Sequence, residues 1–87
     1  MNTAFLLMAQ YQGAAIIPVE LVARDFFSHL GRDKLIRKIA AGEIALPLVR
    51  MEQSQKAARG VHLNDLAAYI DRQRELAVKE CQQLSRP

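Results

Sequence analysis

The sequence predicts a mainly α-helical domain carrying one small β-hairpin, and three observations within residues 32 to 62 decide it. The run RDKLIRKIAAG places Lys34, Arg37, Lys38 and Ala41 on one side of a helix and Leu35, Ile36 and Ile39 on the other, so one face can pack while the other meets an anion. Gly42 supplies the stop, because a residue without Cβ enters the left-handed region at little cost. Past Gly42 the apolar period changes from helix to strand. Ile44, Leu46, Leu48 and Met51 stand among β-branched and charged neighbours, and Pro47 confines this segment to a sheet edge, a bulge or a strand start. The loop 52–60 is polar, with Lys56 and Arg59 near its far side. A helix that can lie in a major groove, followed by a hairpin with a charged tip that can lie on the flanking backbone, outlines a winged helix-turn-helix. The chain then reads as a single domain over residues 1–87. It has an extra N-terminal helix at 3–12, the helix-turn-helix at 18–41, the wing at 43–63 and a long C-terminal helix at 65–84.

Each element follows from its own residues. The first helix has Asn2 or Thr3 as N-cap and Gly13 as its stop. Phe5, Leu6, Leu7, Met8 and Ala9 surround more of its circumference than a surface helix of a monomer needs. Phe5, Leu6 and Leu7 are therefore expected to meet a second subunit. Residues 14 to 17 form a β-prone link or, alternatively, a single strand, and Pro18 suits the first turn of the next helix. In residues 18 to 29, Leu21, Val22, Phe26 and Phe27 oppose Glu20, Arg24 and Asp25, which makes an amphipathic helix. His29, Leu30 and Gly31 give a tight connection with Leu30 tucked between two helices. Asp33 favours the positive end of the second helix, although Gly31 is a weaker N-cap than Ser or Asp. The second wing strand is expected at residues 60 to 63, and Asn64 or Asp65 caps the final helix. There Leu66, Ala67, Ile70, Ala77 and Cys81 make a stripe. Its N-terminal half packs on the domain, and the more polar distal half projects or pairs with a partner.

Eighty-seven residues build a modest core, so a homodimer or higher oligomer is expected to supply further stability. The formal charge is +3, but it is not spread evenly. Residues 32 to 59 hold seven Lys/Arg against three Asp/Glu, and the remainder hold five against six. A local excess of this kind points to nucleic acid or an acidic partner rather than a membrane. Arg32, Lys34, Arg37, Lys38, Arg50, Gln53, Gln55, Lys56 and Arg59 are the expected DNA-binding residues. Arg37 and Lys34 can address guanine edges and Gln53 or Gln55 an adenine edge, and spacing does not separate base from phosphate contacts. The lone Cys81 cannot form an intramolecular disulfide, and the opening apolar run is too short for a signal or a membrane span. A cytoplasmic protein is expected.

Catalytic readings find little support. His29 and His62 have no ligand at metal spacing, and Ser28 beside His29 lacks the glycine-rich elbow of a nucleophile. Cys81 reads as a small packing residue, and Glu20, Asp25 and Asp65 form no acid-base or metal constellation. Neither an enzyme nor a cofactor is expected.

The opening MNTAFLLMAQY, the run RKIAAGEIALPLVR, the SQK of the loop and the closing GVHLNDLAAYIDRQR together resemble the pyocin activator (PrtN-like) family of small bacterial transcription factors. The layout of RKIAAGEI and VHLNDLAAYI is also similar to excisionase and AlpA-type regulators, and more remotely to the DNA-binding part of MerR-type regulators, which share a winged helix-turn-helix. The resemblance implies an activator of bacteriocin genes that binds boxes upstream of them as part of a DNA-damage response. Its partners would be double-stranded promoter DNA and, for activation, RNA polymerase. An excisionase-like architectural protein and a protein-interaction module of antirepressor type are the alternatives.

Overall fold

The computed structural model describes residues 2–54 and 56–85. It contains four helices and a small antiparallel sheet, in the order α1 (Thr3–Gln10), β1 (Ile16–Pro18), α2 (Val19–Phe26), α3 (Gly31–Ala40), β2 (Val49–Arg50), β3 (Arg59–His62) and α4 (Leu63–Leu84). Gln55, one of the expected DNA contacts, lies outside the described residues.

Helix α1 starts where Asn2 accepts a hydrogen bond from the Phe5 amide at 2.7 Å, which satisfies one of the donors a helix start leaves open. It ends two residues short of the expected 12, because Gln12 already takes a left-handed φ of 57° and the Gly13 amide returns to the Met8 carbonyl at 2.8 Å. Leu7 is 3% exposed and belongs to the core, whereas Phe5 and Leu6 stay more than half exposed. Of the three expected subunit contacts, Leu7 is thus corrected: it is consumed inside the domain.

The segment around residue 16 is a strand. Ile16, Ile17 and Pro18 pair with His62, Val61 and Gly60, and the sheet order is β1-β3-β2. Pro18 is tolerated because β1 is an edge, and it serves as the N-cap of α2 rather than as a first-turn residue. Helix α2 stops at Phe26, three residues before the expected end, and the chain turns through 28–30. Leu30 is half-buried against the core, as its apolar character demands.

Helix α3 keeps the expected division: Leu35 is fully buried, Ile36 and Ile39 are half-buried, and Lys34, Arg37 and Ala41 face outward. Gly42 takes φ 78°, and the Gly42 and Glu43 amides donate back to the carbonyls of Ile39 and Lys38. The strand expected at 43–51 is reduced to Val49 and Arg50. Ahead of it the Leu46 amide donates to the Ile44 carbonyl at 2.9 Å, a tight turn that sends both side chains inward at 8% and 4% exposure while Ala45 and Pro47 stay outside. Both side chains belong to the hydrophobic core.

Helix α4 is capped by His62, not by Asn64 or Asp65: the His62 Nδ1 accepts from the Asn64 amide at 3.0 Å. Its first turns bury Leu63, Leu66 and Ala67 against the sheet and α1, and Thr3 donates to the Asp71 carboxylate. From Asp71 to Ser85 every residue is exposed, so the domain is drawn out to 55 Å along one axis. Cys81 lies on this exposed part and is not a packing residue within the chain.

Candidate nucleic-acid interface

The basic face of α3 owes its direction to what lies beneath it. Leu35 anchors the helix, which leaves Lys34 and Arg37 exposed; among the described residues neither has an ion-pair partner. Lys38 is half-buried and lies 3.8 Å from Glu43, a pair at the C-terminal end of the helix. Arg32 behaves differently. Its Nε donates to Glu20 at 2.9 Å and its Nη1 to Asp33 at 2.9 Å, so the guanidinium ties the start of α3 to the start of α2. The Glu20 carboxyl is held below its usual range, first by its own backbone amide and then by Arg32. Arg32 is thus paired with two carboxylates of the protein itself, unlike Lys34 and Arg37.

The hairpin supplies the second basic element. Arg50 and Arg59 are directly opposed across β2 and β3, and the Met51 amide donates to the Ala58 carbonyl to close the ladder. The pairing places two cationic side chains side by side at the base of the hairpin. Beyond them, Ser54 organises the tip: its hydroxyl accepts from the Lys56 amide at 3.1 Å and its carbonyl from the Ala57 amide at 3.1 Å. Lys56 and Gln53 are exposed there.

Glu20 joins the two elements. While bonded to Arg32 of α3, it also lines a shallow cleft with Ile16, Pro18, Met51, Ala58 and Arg59. The start of α3 and the base of the hairpin are therefore neighbours across one carboxylate. On the far side of α2, Tyr11 donates to Asp25 at 2.6 Å and Arg24 donates to both Asp25 oxygens; these bonds hold the Asp25 carboxyl below its usual range, Arg24 contributing most. That cluster locks α1 to α2. Among the described residues no group of His, Cys, Asp and Glu is placed to hold a metal ion, and no helix is long and apolar enough to cross a membrane.

A family model described as pyocin activator protein PrtN matches residues 3–77. The chain belongs to that family. No curated protein and no solved structure gives a significant match. The pyocin activator family is one of regulatory activators and not an enzyme family. The match takes in α1, the α2–α3 pair, the hairpin and the first part of α4, and stops within the exposed part of α4.

Three features of this member were not read from its sequence. Glu20 was seen only as part of a polar helix face, and its link to Arg32 spans two helices. The facing of Arg50 and Arg59 depends on the register of a hairpin whose loop length does not fix it. The His62 cap has a local signal, since the residue stands immediately before an apolar helical run, but Asn and Asp side chains cap more often and two of them follow at 64 and 65.

Proposed function

We propose that this protein is a sequence-specific DNA-binding transcriptional activator of pyocin genes. Helices α2 and α3 act as a helix-turn-helix and β2–β3 as the wing. The observation that carries the reading is the adjacency made by Glu20: the exposed Lys34 and Arg37 lie on a helix whose first turn is fastened beside the base of a hairpin bearing Arg50, Arg59 and Lys56. A groove-reading helix beside a phosphate-touching hairpin is how such a surface divides its work. Membership in the activator family supports transcription activation as the outcome, with promoter DNA and RNA polymerase as partners in the DNA-damage response.

The division is testable by anisotropy titration. Arg37→Ala should cost roughly 1 to 3 kcal/mol on the cognate site and much less on random DNA, because part of its contribution is base discrimination. Lys56→Ala should weaken both DNAs by a similar factor and lower the salt slope by about one unit per lost contact per subunit. For a complex touching on the order of 8 phosphates the log–log salt slope should be near −7. The opposite pattern would exchange the roles of helix and wing. A slope near zero would remove DNA binding altogether. Purified transcription from the bound promoter, rising with added protein, distinguishes an activator from a protein that only bends DNA.

A further inference from the structure

Arg32 stands apart from the other cations of α3. At about 100° per residue it is turned roughly 160° from Lys34 and roughly 140° from Arg37, so it leaves the helix on the side of α2 and not on the outward basic face. There its Nε donates to Glu20 and its Nη1 to Asp33, both at 2.9 Å, and the guanidinium is held from two sides. The start of α3 has no side-chain cap of its own, so the bond to Glu20 is what gives this end of the helix a direction.

Glu20 is a firm point to hold on to. It follows the fully buried Val19 and stands two residues after Pro18, which pairs with Gly60 of β3. Strand β3 also pairs with β2, so a short path runs from the hairpin through Pro18 and Glu20 to Arg32. Hydrophobic contact is non-directional, and the core face of α3 therefore holds the helix down without setting its roll sharply; a hydrogen bond does have a direction. From these placements we infer that Glu20 is a positioning residue acting through Arg32: it sets the roll of α3 relative to the hairpin, and with it how well the protein separates its own site from other DNA. The inference rests on the DNA-binding reading above.

The sensitivity follows from helix dimensions. Side chains reach about 5 to 6 Å from the helix axis, so a roll of about 20° moves their tips by about 2 Å. A hydrogen bond to a base edge is lost over that distance, whereas attraction to a phosphate several ångströms away changes little. Discrimination therefore depends on the Glu20–Arg32 link, and general affinity does not.

Two measurements on the full chain test this, one of them without DNA. In a Cys81→Ser background, spin labels at Lys34→Cys and Gln73→Cys report the distance between α3 and α4, both positions being exposed. Glu20→Gln should broaden or shift the distance distribution. The thermal midpoint should move by no more than about 4 °C, because a pair whose side chains are 44% and 57% exposed contributes little to stability. In anisotropy titrations Glu20→Gln and Arg32→Gln should each lower the preference for the promoter site over random duplex by about tenfold. The double variant should lower it no further, since either change removes the same bond. Binding of Glu20→Gln to random duplex should hold or rise, because a carboxylate has left a cationic surface.

An unchanged distance distribution in Glu20→Gln, or additive losses in the double variant, would overturn the inference. So would an Arg32→Gln variant that weakens both DNAs equally and lowers the salt slope by about one unit, which would make Arg32 a phosphate contact. A wild type without preference for promoter DNA would overturn the DNA reading and the specificity role with it; the label distances separate that failure from a failure of the Glu20–Arg32 link itself.

Discussion

Replacing Leu35 by Ala is expected to cost about 3 kcal/mol, the usual range for removing a buried branched side chain whose surroundings collapse only in part. Leu35 is fully buried and is the only residue of α3 in that state. The helix is therefore attached to the domain mainly through this side chain and the half-buried Leu30, Ile36 and Ile39. In a domain of this size the loss should lower the midpoint of thermal unfolding by roughly 15 °C. Circular dichroism melting measures it, with Lys34→Ala as the control on the opposite face, where a change within about 0.5 kcal/mol is expected. A shift of only a few degrees for Leu35→Ala would mean that α3 is held by its ends, through Arg32 and the Gly42 turn, rather than by its core face.

Gly60→Ala is expected to have the next largest effect, about 2 kcal/mol, by overpacking. Gly60 lies in β3 between Pro18 of β1 and Val49 of β2. A methyl group there would come within 2.6 Å of the Ile17 carbonyl oxygen and 2.6 Å of the Ile16 Cγ2. The Ile16 side chain could rotate away, but the Ile17 carbonyl belongs to the neighbouring strand and moves only if the β1–β3 pairing opens. The consequence should be local before it is global. Amide exchange at Val61 and Ile17 should accelerate more than exchange in the first turns of α4. Equal acceleration throughout would show that the sheet and helices open as one unit.

The sequence by itself determined the features that depend on near neighbours. The apolar period of residues 34 to 41 fixed which side of α3 is buried, and hence that Lys34 and Arg37 are presented outward. Gly42 fixed where that helix ends, because the backbone needs a left-handed residue there and glycine provides one. The polar character past Arg72 already marked the length of α4 that leaves the domain. Tertiary structure decided whatever depends on a distant partner. Residues 16 to 18 are compatible with a link or a strand, and β3, more than forty residues later in the chain, makes them a strand. The Pro47 segment is compatible with a strand, but the Leu46 amide bonds to the Ile44 carbonyl two residues back instead of to a neighbouring strand, and Ile44 and Leu46 reach the core from a turn. Leu7 differs from Leu6 only by its position on α1, and α1 packing on α4 is what sends it inward. The charge of Arg32 looked the same as that of Arg37 in the chain, yet Glu20 balances one of them and not the other. Helical faces and stops are written over a few adjacent residues, whereas strand pairing, burial depth and ion-pair choice are set by contacts between segments whose approach no local pattern specifies.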